Sequence, residues 1–182
     1  MERLELKQKT LILSIILGTV FLDQLTKSGI LLYFAEYLPL YGFFLDVVPV
    51  PHMLHVTNFF NIVFSWNPGT SFSLFRAMGE AAPMVIILAT GFITGFILYY
   101  LVRRAKRYEI VPLSLIAGGA IGNLIDRVRF GAVVDFLDFH IKAWHWPAFN
   151  VADICICLGV GLYFLNMYIE RRKCLKSIKD GK

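Results

Sequence analysis

Charge is what this chain has least of. Charged residues make up 17% of its 182 positions, against roughly a quarter in ordinary soluble domains. That shortage excludes an average water-soluble globule and points to lipid as the solvent. Cysteine is nearly as scarce. Cys155, Cys157 and Cys174 form no disulfide framework, and Cys155 and Cys157, two apart, face different ways on a helix. Histidine is rare too. His52 and His55 make an H-x-x-H with no second-site acid at zincin spacing, so no metal site is expected. No internal repeat or low-complexity stretch is visible, so the inverted halves usual in transporters are missing.

What remains is apolar. Hydrophobic residues reach 57%, with sixteen Phe, eight Tyr and three Trp, and the mean hydropathy is +0.64. Four long apolar runs stand out, at about 11–33, 82–102, 110–126 and 149–169. Each approaches the roughly 17–25 residues that a helix needs to cross a hydrocarbon core of ~30 Å. The expected fold is a membrane protein, mainly α: a four-transmembrane-helix bundle in one domain over 1–182. The first run is not read as a cleavable signal peptide, because Asp23 and Lys27 follow where a small-residue cleavage site would stand.

Basic residues set the orientation. Thirteen of the 18 lie in residues 1–9, the short loop 103–109 and the tail 170–182, which four spans put on one side. By the positive-inside rule that side is the cytoplasm, with both termini inside. The net charge of +5 is thus a topogenic signal, and no nucleic-acid partner is needed to explain it.

Two segments then face outward, 34–81 and 127–148. In the first, 55–66 is rich in strand formers, Asn67-Pro68-Gly69 reads as a turn, and 70–75 as a returning strand. A small β-rich element on the outer face is expected. The second carries Asp135 and Asp138, for which solvent exposure is sufficient explanation, and ends near Trp144 and Trp146, suited to an interfacial anchor.

Acids inside spans are costly and each needs a reason. Asp126 ends the third run and Asp153 opens the fourth, so both carboxylates fall at the outer interface at similar depth. Two carboxylates at one level can share a proton and activate a water, one as general base and one as general acid. Helix ends would leave the proton on Asp126 and ionise Asp153. A plainer role exists for each. Asn150 and Asp153 form the pattern of a capping box, while a structural Asp126 would need an ion pair from another element. Asp23 has Lys27 four residues on and reads as a structural acid. Asn67 and Asn123 either hold a substrate backbone or satisfy backbone groups. Gly91 with Gly95, and Gly118 with Gly122, suit close helix packing or, less simply, a groove for a substrate helix.

Five motifs in order give a specific resemblance: DQLTK at Asp23–Lys27, NPGTSF at Asn67–Phe72, GGAIGNLIDR at Gly118–Arg127, VVDFLDF at Val133–Phe139 and FNVAD at Phe149–Asp153. Together they resemble the lipoprotein signal peptidases (signal peptidase II). The resemblance implies an intramembrane aspartic endopeptidase of the bacterial inner membrane, without cofactor. It would cut prolipoproteins that carry a diacylglyceryl group on the cysteine after the cut. Its partners would be that substrate and membrane lipid, the chain itself being monomeric. Carried over by position, Asp126 and Asp153 match the catalytic dyad, Asn67, Asn123, Arg127 and Asn150 match residues that hold substrate or support the site, and Asp23 an acid that stabilises the fold. The rival readings are a small transporter and a non-enzymatic scaffold.

Overall fold

The computed structural model describes residues 5–34, 53–69 and 81–179 of the chain. Four helices dominate: α1 Leu6–Tyr33, α2 Ala82–Arg103, α3 Ile110–Phe130 and α4 Val151–Lys179. All four are long and apolar enough to cross a membrane. Two of them outrun their apolar sequence. Once nucleated, a helix continues through polar residues as long as each adds a backbone hydrogen bond. Asp126 therefore lies a full turn inside α3 and not at its end, and α4 continues through the basic tail.

The helices are inside out by the standard of soluble proteins. Phe21, Phe92 and Phe164 are 68%, 78% and 63% exposed, while Asp23, Lys27 and Asp126 are at most 2% exposed. Only a hydrocarbon solvent makes that arrangement favourable. Helix α3 is the central one and packs against the other three. Gly118 and Gly122 allow its approach to α1. A Cβ at Gly118 would stand 2.7 Å from the Thr19 Cβ, and one at Gly122 2.5 Å from Asp23 Oδ2. Gly91 and Gly95 on α2 have no such neighbour among the described residues, so close packing is seen there for the first glycine pair alone. Away from the sheet, Ile12 and Ile16 of α1 meet Leu101, Ile110 and Ala117 in an apolar core.

Among the described residues four strands form one antiparallel sheet in the order β1 Met53–Thr57, β2 Phe60–Asn67, β3 Val133–Ile141, β4 Trp144–His145. The sequence suggests one strand over 55–66. Instead the chain reverses at Asn58-Phe59, pairing Thr57 with Phe60, and Asn67 ends β2. Strand-forming composition marks a β segment but not where it folds back. The expected returning strand at 70–75, like His52, lies outside the described residues. Gly131, at φ 73°, ends α3 in the left-handed conformation that closes helices with little strain. Two residues later β3 begins, and it pairs with β2 from Asn67↔Val133 to Phe60↔Phe139.

Candidate active site

The polar residues of α1, α3 and the start of α4 converge with β3 at one level. Lys27 is the centre of the first group. Its Nζ lies 2.9 Å from Asp23 Oδ2 and 2.9 Å from Asp126 Oδ2, and donates to Asn123 Oδ1 at 3.0 Å. An ammonium has three N–H donors, and here each has an acceptor. Gln24 Nε2 adds hydrogen bonds to Asp126 Oδ1 (3.0 Å) and Asp23 Oδ2 (3.2 Å). Both acids also hold backbone from other elements. Asp126 Oδ2 accepts from Val134 N–H at 3.2 Å, and Asp23 Oδ1 from Ala152 N–H at 3.0 Å.

The second group contains two carboxylates without a bonded cation among the described residues. Asp153 completes the capping box of α4: its Oδ2 accepts from Asn150 N–H at 3.2 Å, and its own N–H donates to Asn150 Oδ1 at 3.0 Å. Asn123 Nδ2 donates to its other oxygen at 2.8 Å. Asp135 is buried on β3, where Asn150 Nδ2 donates to Oδ1 at 2.7 Å and Asn67 Nδ2 to Oδ2 at 2.9 Å. Burial pushes the Asp135 carboxyl up to about 6, against the hydrogen bond from Asn67, and the nearby charge of Asp153 adds to the rise. Asn150 touches both acids and sets them relative to each other.

Two expectations are corrected by this geometry. Asp126 is not an uncompensated carboxylate facing Asp153. It is ion-paired to Lys27, the partner from another element that a structural role requires, and bonds through Lys27 and Asn123 link it to Asp153. Lys27, Gln24 and Val134 N–H all donate to the Asp126 oxygens. Nor are Asp135 and Asp138 solvent-exposed loop acids, at 2% and 5% exposure. Burial raises Asp138, but hydrogen bonds from Asn61 and His145 outweigh it and hold the carboxyl below its usual range. Asp135 is a carboxylate on which the charge of Asp153 acts. Its signal was present in the strand period, because Val133, Asp135, Leu137 and Phe139 share one face that is otherwise apolar.

Arg127 completes the site. Its charge acts on Asp153, Asp135 and Asp126 in that order, and Nη1 donates weakly to Asn123 O at 3.4 Å. Its Nε is buried and has no hydrogen-bond partner among the described residues. A guanidinium held this way retains donors for a further acceptor. Gly69, at φ 74°, lies beside it and donates its N–H to Asn67 Oδ1 at 2.9 Å. The described residues contain no group of three His, Cys, Asp or Glu that could hold a metal ion.

The pattern of the signal peptidase (SPase) II family matches residues 15–169. The chain belongs to the signal peptidase II family. It is 40% identical over 156 residues to a lipoprotein signal peptidase of Paraburkholderia phytofirmans, covering 85% of this chain and 82% of that one. With a lipoprotein signal peptidase of Anaplasma phagocytophilum the identity is 37% over 171 residues, covering 93% and 99%. Two solved bacterial membrane enzymes, determined by the in meso method, have similar structures. One, at 2.3 Å, gives a TM-score of 0.64 at 26% identity, covering 95% of this chain and 92% of that one. The other, at 1.9 Å, gives 0.66 at 28% identity, covering 87% and 92%. As a member of this family the chain is a multi-pass membrane peptidase, and the transporter and scaffold readings are not favoured.

Proposed function

We propose that the chain is an aspartic endopeptidase that cleaves the signal peptide from bacterial prolipoproteins, with Asp135 and Asp153 as its catalytic pair. One observation carries the assignment: these two carboxylates share Asn150 and lie within reach of each other's charge, while the other two buried acids of the site, Asp23 and Asp126, are tied to Lys27. Asp153, in the first turn of α4, lies at the positive end of the helix dipole and acts as the base towards water. Asp135, raised by burial, holds the proton and gives it to the leaving amine. Arg127 offers its free N–H groups to the substrate carbonyl, where charge develops as water attacks. Asn67, Asn123 and Asn150 hold the pair, and Asp23 stabilises the fold.

The location follows from the substrate. A signal peptide in the bilayer is a helix whose peptide groups are already bonded internally, so it is cut where it can unwind and meet water. That is the outer interface of the inner membrane. A diacylglyceryl group on the substrate cysteine keeps the scissile bond at this depth. Trp144 and Trp146, exposed at the end of the sheet, anchor it among lipid headgroups. Both termini are cytoplasmic, and the working unit is a monomer.

Protein purified in lipid should cleave a diacylated prolipoprotein and leave the unacylated precursor intact, and Asp153→Asn should cleave neither. Equal turnover of both precursors would rule out the lipid requirement; turnover by Asp153→Asn would rule out the pair. The reaction needs a proton on Asp135, so kcat/KM should decline as pH rises through about 6. A profile flat from pH 5 to 9 contradicts that role. Topology is open to a separate test. In intact cells a membrane-impermeant thiol reagent should label Trp144→Cys and spare Cys174 until the membrane is opened; early labelling of Cys174 reverses the orientation.

A further inference from the structure

Lys27 lies on α1 and bonds to neither carboxylate of the pair among the described residues, yet each of its three bonds leads to one of them. Through Asp126 Oδ2 it reaches Val134 N–H, the backbone group just before Asp135. Asp23 Oδ2 accepts the second bond, and Asp23 Oδ1 holds Ala152 N–H, the backbone group just before Asp153. The third goes to Asn123 Oδ1, and the Nδ2 of the same amide donates to Asp153 Oδ1. Asn123 Oδ1 also accepts from Asn150, which donates to Asp135.

From this convergence we infer that Lys27 is the positioning residue of the reaction: one buried ammonium sets the spacing of Asp135 and Asp153. The inference rests on that pair being catalytic, as proposed above. A counter-ion for Asp23 alone would need only the bond along its own helix. The other two bonds cross to α3 and fix groups that lead on to β3 and to the start of α4. The Asn123 bond also has a directional consequence. With its oxygen occupied by Lys27 and Asn150, the amide must present its NH2 to Asp153, so the carboxylate meets a donor and not a lone pair. A single nitrogen with three tetrahedral donors can do this. A planar guanidinium spreads its donors over a fork and cannot direct three of them from one point.

Two variants of the full-length protein in lipid test the role, each read by thermal transition, kcat and KM on a diacylated prolipoprotein. Lys27→Met with Asp126→Asn removes one positive and one negative charge, so the site keeps its net charge. Lys27→Arg keeps the cation and changes only the donor geometry. Misplacement of reacting groups by about 1 Å can cost about 100-fold in rate. Both variants should fold, with kcat down by at least about tenfold and KM within about threefold. Wild-type kcat in either folded variant overturns the inference, as does failure of both to fold, which would make Lys27 a structural counter-ion only. If only the double variant fails to fold, Lys27→Arg decides by the same criterion. Failure of the underlying assignment looks different: Asp135→Asn or Asp153→Asn would then still cleave.

Discussion

Asp135→Asn should lose at least about a thousandfold in turnover while its thermal transition stays within about 4 °C of the parent protein. The loss of rate follows from removing the acid that delivers the proton. The retained stability follows from two opposed terms. Burial raises this carboxyl from 3.8 to about 6, so its ionised form opposes folding. For an acid raised in the fold, stability is greatest below the unfolded value and declines as pH rises through the folded one. By neutral pH that cost is about 3 kcal/mol, and Asn removes it. Against this gain, both Asp135 oxygens accept from amides, Asn67 and Asn150. An Asn side chain turns an NH2 towards one of those donors, and a buried donor without an acceptor costs about 1–3 kcal/mol. The terms are of similar size and opposite sign. A folded, inert Asp135→Asn supports the pair. Near-normal turnover would remove Asp135 from the chemistry.

Asp126→Ala should behave in the opposite way, losing stability together with rate. Its oxygens accept from Lys27, Gln24 and Val134 N–H. Truncation leaves those donors buried with fewer acceptors, and breaking one side of a buried ion pair typically costs about 3–5 kcal/mol. Asp23 still holds Lys27 at 2.9 Å, so the lower end of that range, about 3 kcal/mol, is expected. In a protein of this size that lowers the thermal transition by roughly 6–12 °C. Turnover of the folded fraction should fall about 100-fold, because the start of β3 loses its anchor beside Asp135. What remains should keep the decline of kcat/KM near pH 6, since the acid is intact. An Asp126→Ala protein as stable as the parent and fully inert would make Asp126 the partner of Asp153 after all.

The contrast between these variants follows the line between what is local and what is not. Span positions, the Asp23–Lys27 contact and the Asn150–Asp153 capping box lie within one helix or at its first turn. Fixed helical spacing makes such contacts readable from residue order alone. Asp153 was identified on that basis, and the structure keeps its capping bonds at 3.2 and 3.0 Å. The hairpin turn at Asn58-Phe59 was not readable in this way, because several registers satisfy the same strand-forming run.

The partner proposed for Asp153 depends on tertiary structure. Asp126 and Asp135 are both acids near the C-terminal end of α3, and sequence ranks Asp126 higher because it interrupts an apolar run. Their roles separate only when α1 packs on α3 closely enough, across Gly118 and Gly122, for Lys27 to reach Asp126. That contact joins residues about a hundred positions apart and neutralises one acid. The pairing of Ser65 with Asp135 and of Asn67 with Val133 then brings the other beside Asn67 and Asn150, in a buried site that raises it. Residue order determined which groups were available at this depth. In the proposed pair, cross-helix charge pairing and strand register are what leave Asp135 to work with Asp153, because electrostatic neutralisation depends on distance in space and not along the chain.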